Sequence, residues 1–134
     1  MSFRPVDVLE LRDTEQLAVV RRRVDALAQR VGLGSYQRAR LVTAVGEIAR
    51  NALTYGGGGR VRLEVSRGDN RVGVRIIVRD KGPGISDVSL AMERGFSTGG
   101  SMGVGLPGAK ALVDDFEMTT SPRGTRIMMT SWSR

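Results

Sequence analysis

One segment, from Asp80 to Gly108, limits what this chain can fold into more than any other feature. It holds eight glycines and a single short helical pattern, Val88 to Glu93. Glycine contributes no side chain to a core and loses the most backbone freedom on folding. We therefore interpret this segment as a mobile ligand-binding loop. The residues before and after it must build the buried core.

Two amphipathic helices are predicted before this loop. Apolar residues recur at intervals of three and four over residues 13–31, with Asp13 or Thr14 as the capping residue. The same spacing recurs over residues 35–53, where Ser35 can cap the helix and a run of four glycines follows it. Both helices should bury one face and expose the other.

Strand patterns complete a two-layer fold. Five segments alternate in polarity or are rich in β-branched residues, and two pairs of them flank turn residues typical of hairpins. The strands are predicted at Val6–Leu11, Val61–Val65, Val72–Arg79, Phe116–Thr120 and Thr125–Trp132, and a third helix at Val104–Val113. This order predicts an α+β two-layer sandwich, with helices on one face of a mixed, mostly antiparallel sheet. We expect residues 1–134 to form a single domain.

Two absences from the composition exclude whole classes of chemistry. The chain has no cysteine and no histidine. Disulfides, thiolate zinc sites, cysteine nucleophiles, histidine metal sites and imidazole-based serine triads are therefore excluded. No run approaches the roughly 18 apolar residues of a spanning helix, and the N-terminus lacks a charged stretch followed by an apolar one. We expect a cytoplasmic protein that does not bind membranes.

The chain is strongly basic. Lysine and arginine number 21 against 14 acidic residues, which gives a net charge of +7. Aromatic residues make up only 4% of the chain, so the stacking platforms of single-strand binders are scarce. We interpret the charge as a solvated face or a patch for an acidic protein, and we expect no nucleic-acid partner.

The second predicted helix carries the first candidate for chemistry. Glu47 and Asn51 are four residues apart and therefore point from the same helix face, beside an apolar stripe. They can form an ordinary polar contact on a solvated helix side. Alternatively, the Asn51 amide oxygen can bind Mg²⁺ while the Glu47 carboxylate orients an attacking hydroxyl or water. The spacing alone does not decide between these interpretations.

A second candidate follows the predicted strand that ends at Arg79. Asp80 comes directly after the strand and is followed by Gly82, Gly84 and Ile85. An acid in this position can accept a hydrogen bond from an exocyclic amino group, and the glycines let a flat base approach the backbone. An ordinary Pro-Gly turn capped by the acid explains the same residues equally well.

The third candidate is the run from Gly103 to Gly108, which leads into the third predicted helix. Its backbone amides, preceded by a stretch rich in serine, threonine and glycine, are typical of a phosphate site. The run matches the dinucleotide pattern GxGxxG, but a polar glycine loop stands where that fold requires a strand. A Walker loop and the protein-kinase motifs are excluded, because their Gly-Lys-Ser/Thr and His-Arg-Asp sequences are missing.

The order and spacing of these motifs resemble the signature of the GHKL (Bergerat-type) ATPases. That signature joins a Glu-x-x-x-Asn helix, a strand ending in Asp-x-Gly-x-Gly-Ile, a lid with Gly-x-Gly-Leu-x-Gly and a Gly-Thr pair in the final hairpin, here Gly124 and Thr125. The resemblance covers the chain from about Asp13 onward. Gly46–Asn51 and Gly95–Thr98 are most similar to the anti-sigma regulatory serine/threonine kinases, in particular to the stressosome switch-kinase branch.

The resemblance implies a role for each matched residue. Glu47 would be the catalytic base, and Asn51 would hold Mg²⁺ against the phosphates of ATP. Asp80 would accept a hydrogen bond from the adenine amino group. The residues that would line the base around Asp80 are Gly82, Gly84, Ile85 and Thr125, and those that would wrap the phosphates are Ser97, Thr98, Gly103, Gly105, Leu106 and Gly108.

The family also implies a reaction and partners. The γ-phosphoryl group of ATP would pass to a serine or threonine of a STAS-domain antagonist, and the added charge would release the kinase. The released kinase would then bind a metal-dependent serine phosphatase or a sigma factor. Arginines of the first two helices are predicted to form part of the protein interface, among them Arg21, Arg22, Arg38 and Arg40.

Two alternatives to this function remain. The chain can be a catalytically silent, anti-sigma-like module that binds ATP and its partner without transferring phosphate. It can also be a nucleic-acid-associated ATPase of the gyrase kind, although such proteins carry a transducer domain after the ATPase fold.

Overall fold

The computed structural model of the chain describes residues 2–68, 70–84 and 105–133. The strands are β1 (Arg4–Leu11), β2 (Gly59–Arg67), β3 (Val72–Asp80), β4 (Asp115–Ser121) and β5 (Gly124–Trp132), and the helices are α1 (Glu15–Arg30), α2 (Ser35–Gly56) and α3 (Gly105–Leu112). No helix among them has the length and apolar character that crossing a membrane requires. The strands and helices predicted in these ranges are confirmed, with small differences at their ends. The short helix predicted at Val88–Glu93 lies outside the described residues.

The five strands form one sheet in the order β1-β2-β3-β5-β4, and each neighbouring pair is antiparallel. Both predicted hairpins are present, since β2 pairs with β3 and β4 pairs with β5. The chain passes through the edge strand β4 and then turns back into β5. Strand β5 lies between β4 and β3 and is antiparallel to both. The mixed component expected from the sequence is not found among the described strands.

The hydrophobic core lies between the helices and one face of the sheet. Successive residues of a strand point to opposite faces, so alternate residues of β2, β3 and β5 reach the core. On this face Val61 pairs with Val78, Leu63 with Ile76, and Ile76 with Met129, and all five side chains are buried. Buried residues of α1 and α2 pack in the same core, among them Val20, Val24, Leu41, Val45 and Ile48.

Backbone geometry sets the ends of the two long helices. Gly34, with extended backbone (φ −68°, ψ 162°), is the N-cap of α2, and Ser35 is already helical. The predicted serine cap is therefore wrong, because the capping residue needs a non-helical backbone, and glycine is accepted there almost as well as serine. At the start of α1, Thr14 is the N-cap without a side-chain bond, while Oδ1 of Asp13 accepts a hydrogen bond from the N–H of Glu15 at 3.0 Å.

Candidate functional site

Helix α2 forms one wall of the candidate site. Glu47 and Asn51 are one turn apart, about 6 Å along the helix axis, and Gly56 ends the helix about 7.5 Å further on. Glu47 is buried, with 8% of its surface exposed, and Asn51 is half-buried. A carboxylate is rarely this buried unless it has partners. A solvated helix side, the simpler interpretation of this pair, therefore does not fit Glu47.

The N-terminus of α3 meets α2 at Glu47. The backbone N–H of Gly105, the first residue of α3, donates a hydrogen bond to Oε1 of Glu47 at 3.3 Å. Leu106 is buried in the core, and Arg40 of α2 donates to the carbonyl oxygen of Ala111 at 2.7 Å, so α3 is held at both ends. N–H groups in the first turn of a helix lack helical partners and carry partial positive charge. This end of the site can therefore attract an anion.

The carboxylate of Asp80 lies at the other end of the wall and is held by two backbone donors. Its Oδ1 accepts hydrogen bonds from the N–H of Gly82 at 2.9 Å and from the N–H of Thr125 at 3.3 Å. Among the described residues, no hydrogen bond of Asp80 uses Oδ2. The carboxylate is thus fixed in orientation and keeps one oxygen available as an acceptor.

Glycines surround Asp80 because the space beside it is too small for side chains. A Cβ on Gly82 would lie 2.6 Å from the Cα of Gly56, and a Cβ on Gly56 would overlap the Asp80 carboxylate carbon. Gly124, with φ 148°, lies against the carbonyl oxygen of Asp80. The sequence marks Gly56 as part of a helix stop, and its contact with Asp80 depends on packing that the sequence does not show.

Gly84 and Thr125 connect the surroundings of Asp80 to the β4–β5 hairpin. The hydroxyl oxygens of Thr120 and Thr125 are 2.9 Å apart, and Thr125 is buried. Gly84 has φ +81°, and a Cβ there would overlap the carbonyl oxygen of Ser121. A side chain at this position would be strained by its backbone conformation and would also clash.

The predicted site residues therefore fall into two contacting groups in the described part of the chain. Glu47 contacts Gly105, and Asp80 contacts Gly82 and Thr125. The buried side chain of Leu106 packs in the core, and Gly108 lies half-buried in α3, so contacts from these two to phosphate would come from the backbone. The predicted site residues that lie outside the described residues are Ile85, Ser97, Thr98 and Gly103.

Asn51 carries one amide oxygen, a ligand of the kind that Mg²⁺ accepts together with a phosphate. The described ranges contain no group of three or more acidic, histidine or cysteine side chains that could hold a metal. Mg²⁺ commonly binds through one or two protein oxygens together with waters and the phosphates of a substrate. The single amide oxygen of Asn51, one helical turn from Glu47, agrees with that pattern of binding.

Arg21 and Gly46 form a contact that the sequence analysis missed. A Cβ on Gly46 would lie 2.6 Å from Nε and 3.1 Å from Nη2 of Arg21, so the guanidinium rests on α2 directly before Glu47. Glycine in a helix interior costs up to about 1 kcal/mol relative to alanine. The close approach of Arg21 explains why glycine occupies this position despite that cost. A glycine inside an otherwise regular helical pattern is the signal that marks such a contact.

Three of the four helix arginines predicted for a protein interface have contacts within the chain. Arg21 rests on Gly46, Nε of Arg38 lies 3.2 Å from Oδ1 of Asp25, and Arg40 reaches the end of α3. Arg22 is exposed. An interface at these residues stays a prediction.

The match to known proteins agrees with this geometry. The histidine kinase-like ATPase domain family matches residues 11–131, and the chain therefore belongs to that family. It is 41% identical over 109 residues to the serine/threonine-protein kinase RsbT of Bacillus subtilis (strain 168), an alignment that covers 81% of this chain and 82% of RsbT. The expected family is confirmed, and so is the expected enzyme class, an ATP-dependent serine/threonine protein kinase.

Solved structures show the same fold. The RsbU and RsbW domains of Rv1364c from Mycobacterium tuberculosis superpose with a TM-score of 0.62 at 21% identity over 95% of this chain, which spans 32% of that longer chain. The mycobacterial sensor histidine kinase MprB has a TM-score of 0.58 at 21% identity, over 96% of this chain and 97% of its own. These likenesses concern the fold alone, and they confirm the expected α+β arrangement.

Proposed function

We propose that this chain, as a single domain spanning residues 1–134, transfers the γ-phosphoryl group of ATP-Mg to a serine or threonine of a STAS-domain antagonist. The observation that carries the proposal is the arrangement along α2. A buried carboxylate, Glu47, stands at the N-terminus of α3, and Asp80 stands beside the last turn of α2. These points are about 13.5 Å apart along the helix axis, which suits a nucleotide with its base at Asp80 and its phosphates near Glu47.

Asp80 would select the base. Its Oδ2 can accept a hydrogen bond from the exocyclic amino group of adenine, while Oδ1 stays bound to the N–H groups of Gly82 and Thr125. A guanine base carries a carbonyl oxygen at the equivalent position and would face the carboxylate with a second acceptor. A buried acceptor left unpaired in this way penalises the wrong ligand. The glycines beside Asp80 leave room for a flat base to approach the backbone.

Glu47 would act as the base in phosphoryl transfer. The partner's hydroxyl oxygen forms a bond to the γ-phosphorus as the bond from that phosphorus to the bridging oxygen of ADP breaks, and the hydroxyl proton passes to Glu47. Asn51 would hold Mg²⁺, which neutralises phosphate charge when bound with ATP. The N-terminus of α3 favours negative charge at the same place. The chain would thus accelerate the reaction by positioning and by charge.

The relatives support a role in partner switching. One is the kinase RsbT, and one structural neighbour joins RsbU and RsbW domains in a single chain. Phosphorylation adds about −1.5 to −2 units of charge to the antagonist and would break a packed interface. The released kinase would then bind a metal-dependent serine phosphatase or a sigma factor. Its use of ATP favours the cytoplasm as the place of action.

Labelled ATP tests this proposal directly. The protein is incubated with γ-labelled ATP, Mg²⁺ and a panel of STAS-domain proteins from the same organism. We expect label on one STAS protein and a decrease of about 10²- to 10⁴-fold in the rate for Glu47→Gln, because a general base contributes that much. Asn51→Ala should lose transfer together with the Mg²⁺ dependence of ATP binding.

A matched control is Glu15→Gln, which changes an exposed acid in the first turn of α1 and should label the partner at the wild-type rate. If wild-type protein binds ATP but labels no partner, the kinase proposal is wrong and the catalytically silent module takes its place.

A further inference from the structure

Three arginines lie side by side on the sheet face opposite the described helices. Arg60 of β2 is the cross-strand partner of Arg79 in β3, and Arg79 is the partner of Arg126 in β5. We call these three residues the arginine row. Each is next in sequence to a residue that points into the core, and the row therefore lies on the opposite face of the sheet.

The described part of the chain does not neutralise most of this charge. Nε of Arg60 lies 2.9 Å from Oε1 of Glu10, in a pair whose side chains are 71% and 44% exposed. Within the described ranges Arg79 has no acidic partner, and the guanidinium of Arg126 contacts the Sδ of Met128 at 3.9 Å. Like charges directly opposite each other on neighbouring strands destabilise a sheet. The row is thus unfavourable for folding and calls for another explanation.

Other arginines on the same face are paired with a carboxylate. Nε of Arg62 and Nε of Arg75 lie 2.9 Å and 2.6 Å from the two carboxylate oxygens of the buried Glu64. The guanidinium of Arg75 also lies over the ring of Phe3, at 4.0 Å from its centre. On this face Arg62 and Arg75 are thus paired with a carboxylate, whereas Arg79 and Arg126 have no acidic partner in the described ranges.

Apolar side chains adjoin the arginine row. Ile77 and Met128 are cross-strand partners two residues before Arg79 and two residues after Arg126, on the same face. Ile77 is buried, with 7% of its surface exposed, and Met128 is half-buried, so Met128 is the one of the two that a partner can reach. Interfaces between proteins commonly combine an apolar centre with charges at its edge, and arginine and methionine are enriched in them. This arrangement matches a partner that carries both carboxylates and apolar side chains.

The same face is poorly suited to nucleic acid or to a second copy of the chain. Single-strand binders stack bases on aromatic rings. Phe3 and Trp132, the aromatic residues described on this face, are already covered by the guanidinium groups of Arg75 at 4.0 Å and Arg71 at 3.9 Å. A second copy would bring an identical positive row against this one, and like charges across an interface suppress association.

We propose that the arginine row is a docking surface for an acidic segment of a protein partner, which presents carboxylates to Arg79 and Arg126 and an apolar side chain to Met128. The surface lies close to the candidate site in sequence, since Asp80 follows Arg79 and Thr125 precedes Arg126, but it faces away from that site. The proposal goes beyond phosphoryl transfer, because a partner can dock here whether or not it is phosphorylated.

The test uses the full chain and a fluorescein-labelled peptide of alternating glutamate and valine, with binding measured by fluorescence anisotropy at about 0.1 M salt, where the Debye length is about 10 Å. The sheet variant, Arg79→Glu with Arg126→Glu, reverses the two charges that have no acidic partner in the described ranges. The control variant, Arg30→Glu with Arg67→Glu, reverses two exposed arginines, one at the end of α1 and one at the end of β2 far from Arg60, and changes the net charge equally. ATP affinity, measured for both variants, checks that each one is folded.

We expect the sheet variant to lose at least about tenfold in peptide affinity, about 1.4 kcal/mol, and the control variant to lose less than about twofold because its charges are remote and screened. A peptide with lysine in place of glutamate should bind the sheet variant more tightly than it binds wild type.

Equal losses in the two variants, or no measurable peptide binding by wild type, would overturn the proposal. Tighter binding of a DNA oligonucleotide of equal charge, lost in the sheet variant, would assign the row to nucleic acid instead. These outcomes do not depend on kinase activity, so failure of one proposal is distinguishable from failure of the other.

Discussion

Replacement of Asp80 by asparagine tests how the site recognises its base. Asp80→Asn preserves the shape of the side chain, and the amide oxygen can still accept from the N–H groups of Gly82 and Thr125, which both bind Oδ1 in the wild type. The amide NH₂ group then takes the position of Oδ2. An adenine amino group would meet a second donor there, and ATP binding should weaken.

The magnitude follows from the hydrogen bond that is lost. A hydrogen bond to a charged group contributes about 1.5–3 kcal/mol, which corresponds to about a 10- to 150-fold increase in Kd for ATP. The effect on folding should be smaller. The two backbone hydrogen bonds remain but become neutral, and we expect the free energy of unfolding to fall by about 1–2 kcal/mol.

Titration calorimetry with ATP and with inosine triphosphate measures the expected change. The inosine base carries a carbonyl oxygen in place of the adenine amino group, so the new NH₂ group can donate to it, and the preference for ATP should shrink or reverse. Asp115→Asn is the control, since Oδ2 of Asp115 on β4 also accepts from an N–H group, the indole Nε1 of Trp132 at 2.9 Å. Unchanged ATP affinity in Asp80→Asn, or equal weakening of both nucleotides, would refute the reasoning.

Two further substitutions test the packing beneath the site. Gly56→Ala places a methyl group against the Asp80 carboxylate, and overpacking of this kind costs about 1–3 kcal/mol. We therefore expect this variant to have a lower Tm and to bind ATP at least about tenfold more weakly. Gly34→Ala is the control and should bind ATP normally, because a Cβ there would have nothing within 4 Å. Equal affinities in the two variants would argue against the proposed position of the base. Glu64→Ala should lower the free energy of unfolding in urea by about 2–3 kcal/mol, less than for a fully buried pair because Arg75 is 25% exposed. Glu10→Ala breaks an exposed ion pair and should lower the free energy of unfolding by less than about 1 kcal/mol. Similar losses in the two variants would show that the ion pairs of Glu64 stabilise the fold no more than the exposed pair of Glu10.

The secondary structure could be predicted from local signals. Apolar residues every three or four positions define α1 and α2, and β-branched alternation beside turn residues defines both hairpins. These signals act within a few residues and do not depend on the rest of the fold. The cap of α2 shows the limit, because Ser35 and Gly34 are both acceptable capping residues and the choice between them depends on how the chain leaves α1.

Part of the candidate site could also be predicted. Glu47 and Asn51 share a face because helix geometry requires it, and Asp80 stands next to glycines because they follow it in the chain. The contacts of Asp80 with Gly56 and Thr125 join three distant segments. The contact of Arg21 with Gly46 joins two helices. No local pattern predicts either contact, since each results from how helices and strands pack together.

The sequence by itself determined the α+β class, the positions of the helices and hairpins, and the residues capable of chemistry, because periodicity and turn preferences are properties of short segments. Only the tertiary structure decided that β3 lies beside β5, that Glu47 meets the start of α3, and that Arg60, Arg79 and Arg126 form one row. The physical reason is register. Side chains alternate between the faces of a sheet, so a shift of β5 by one residue would turn Arg126 from the open face into the core.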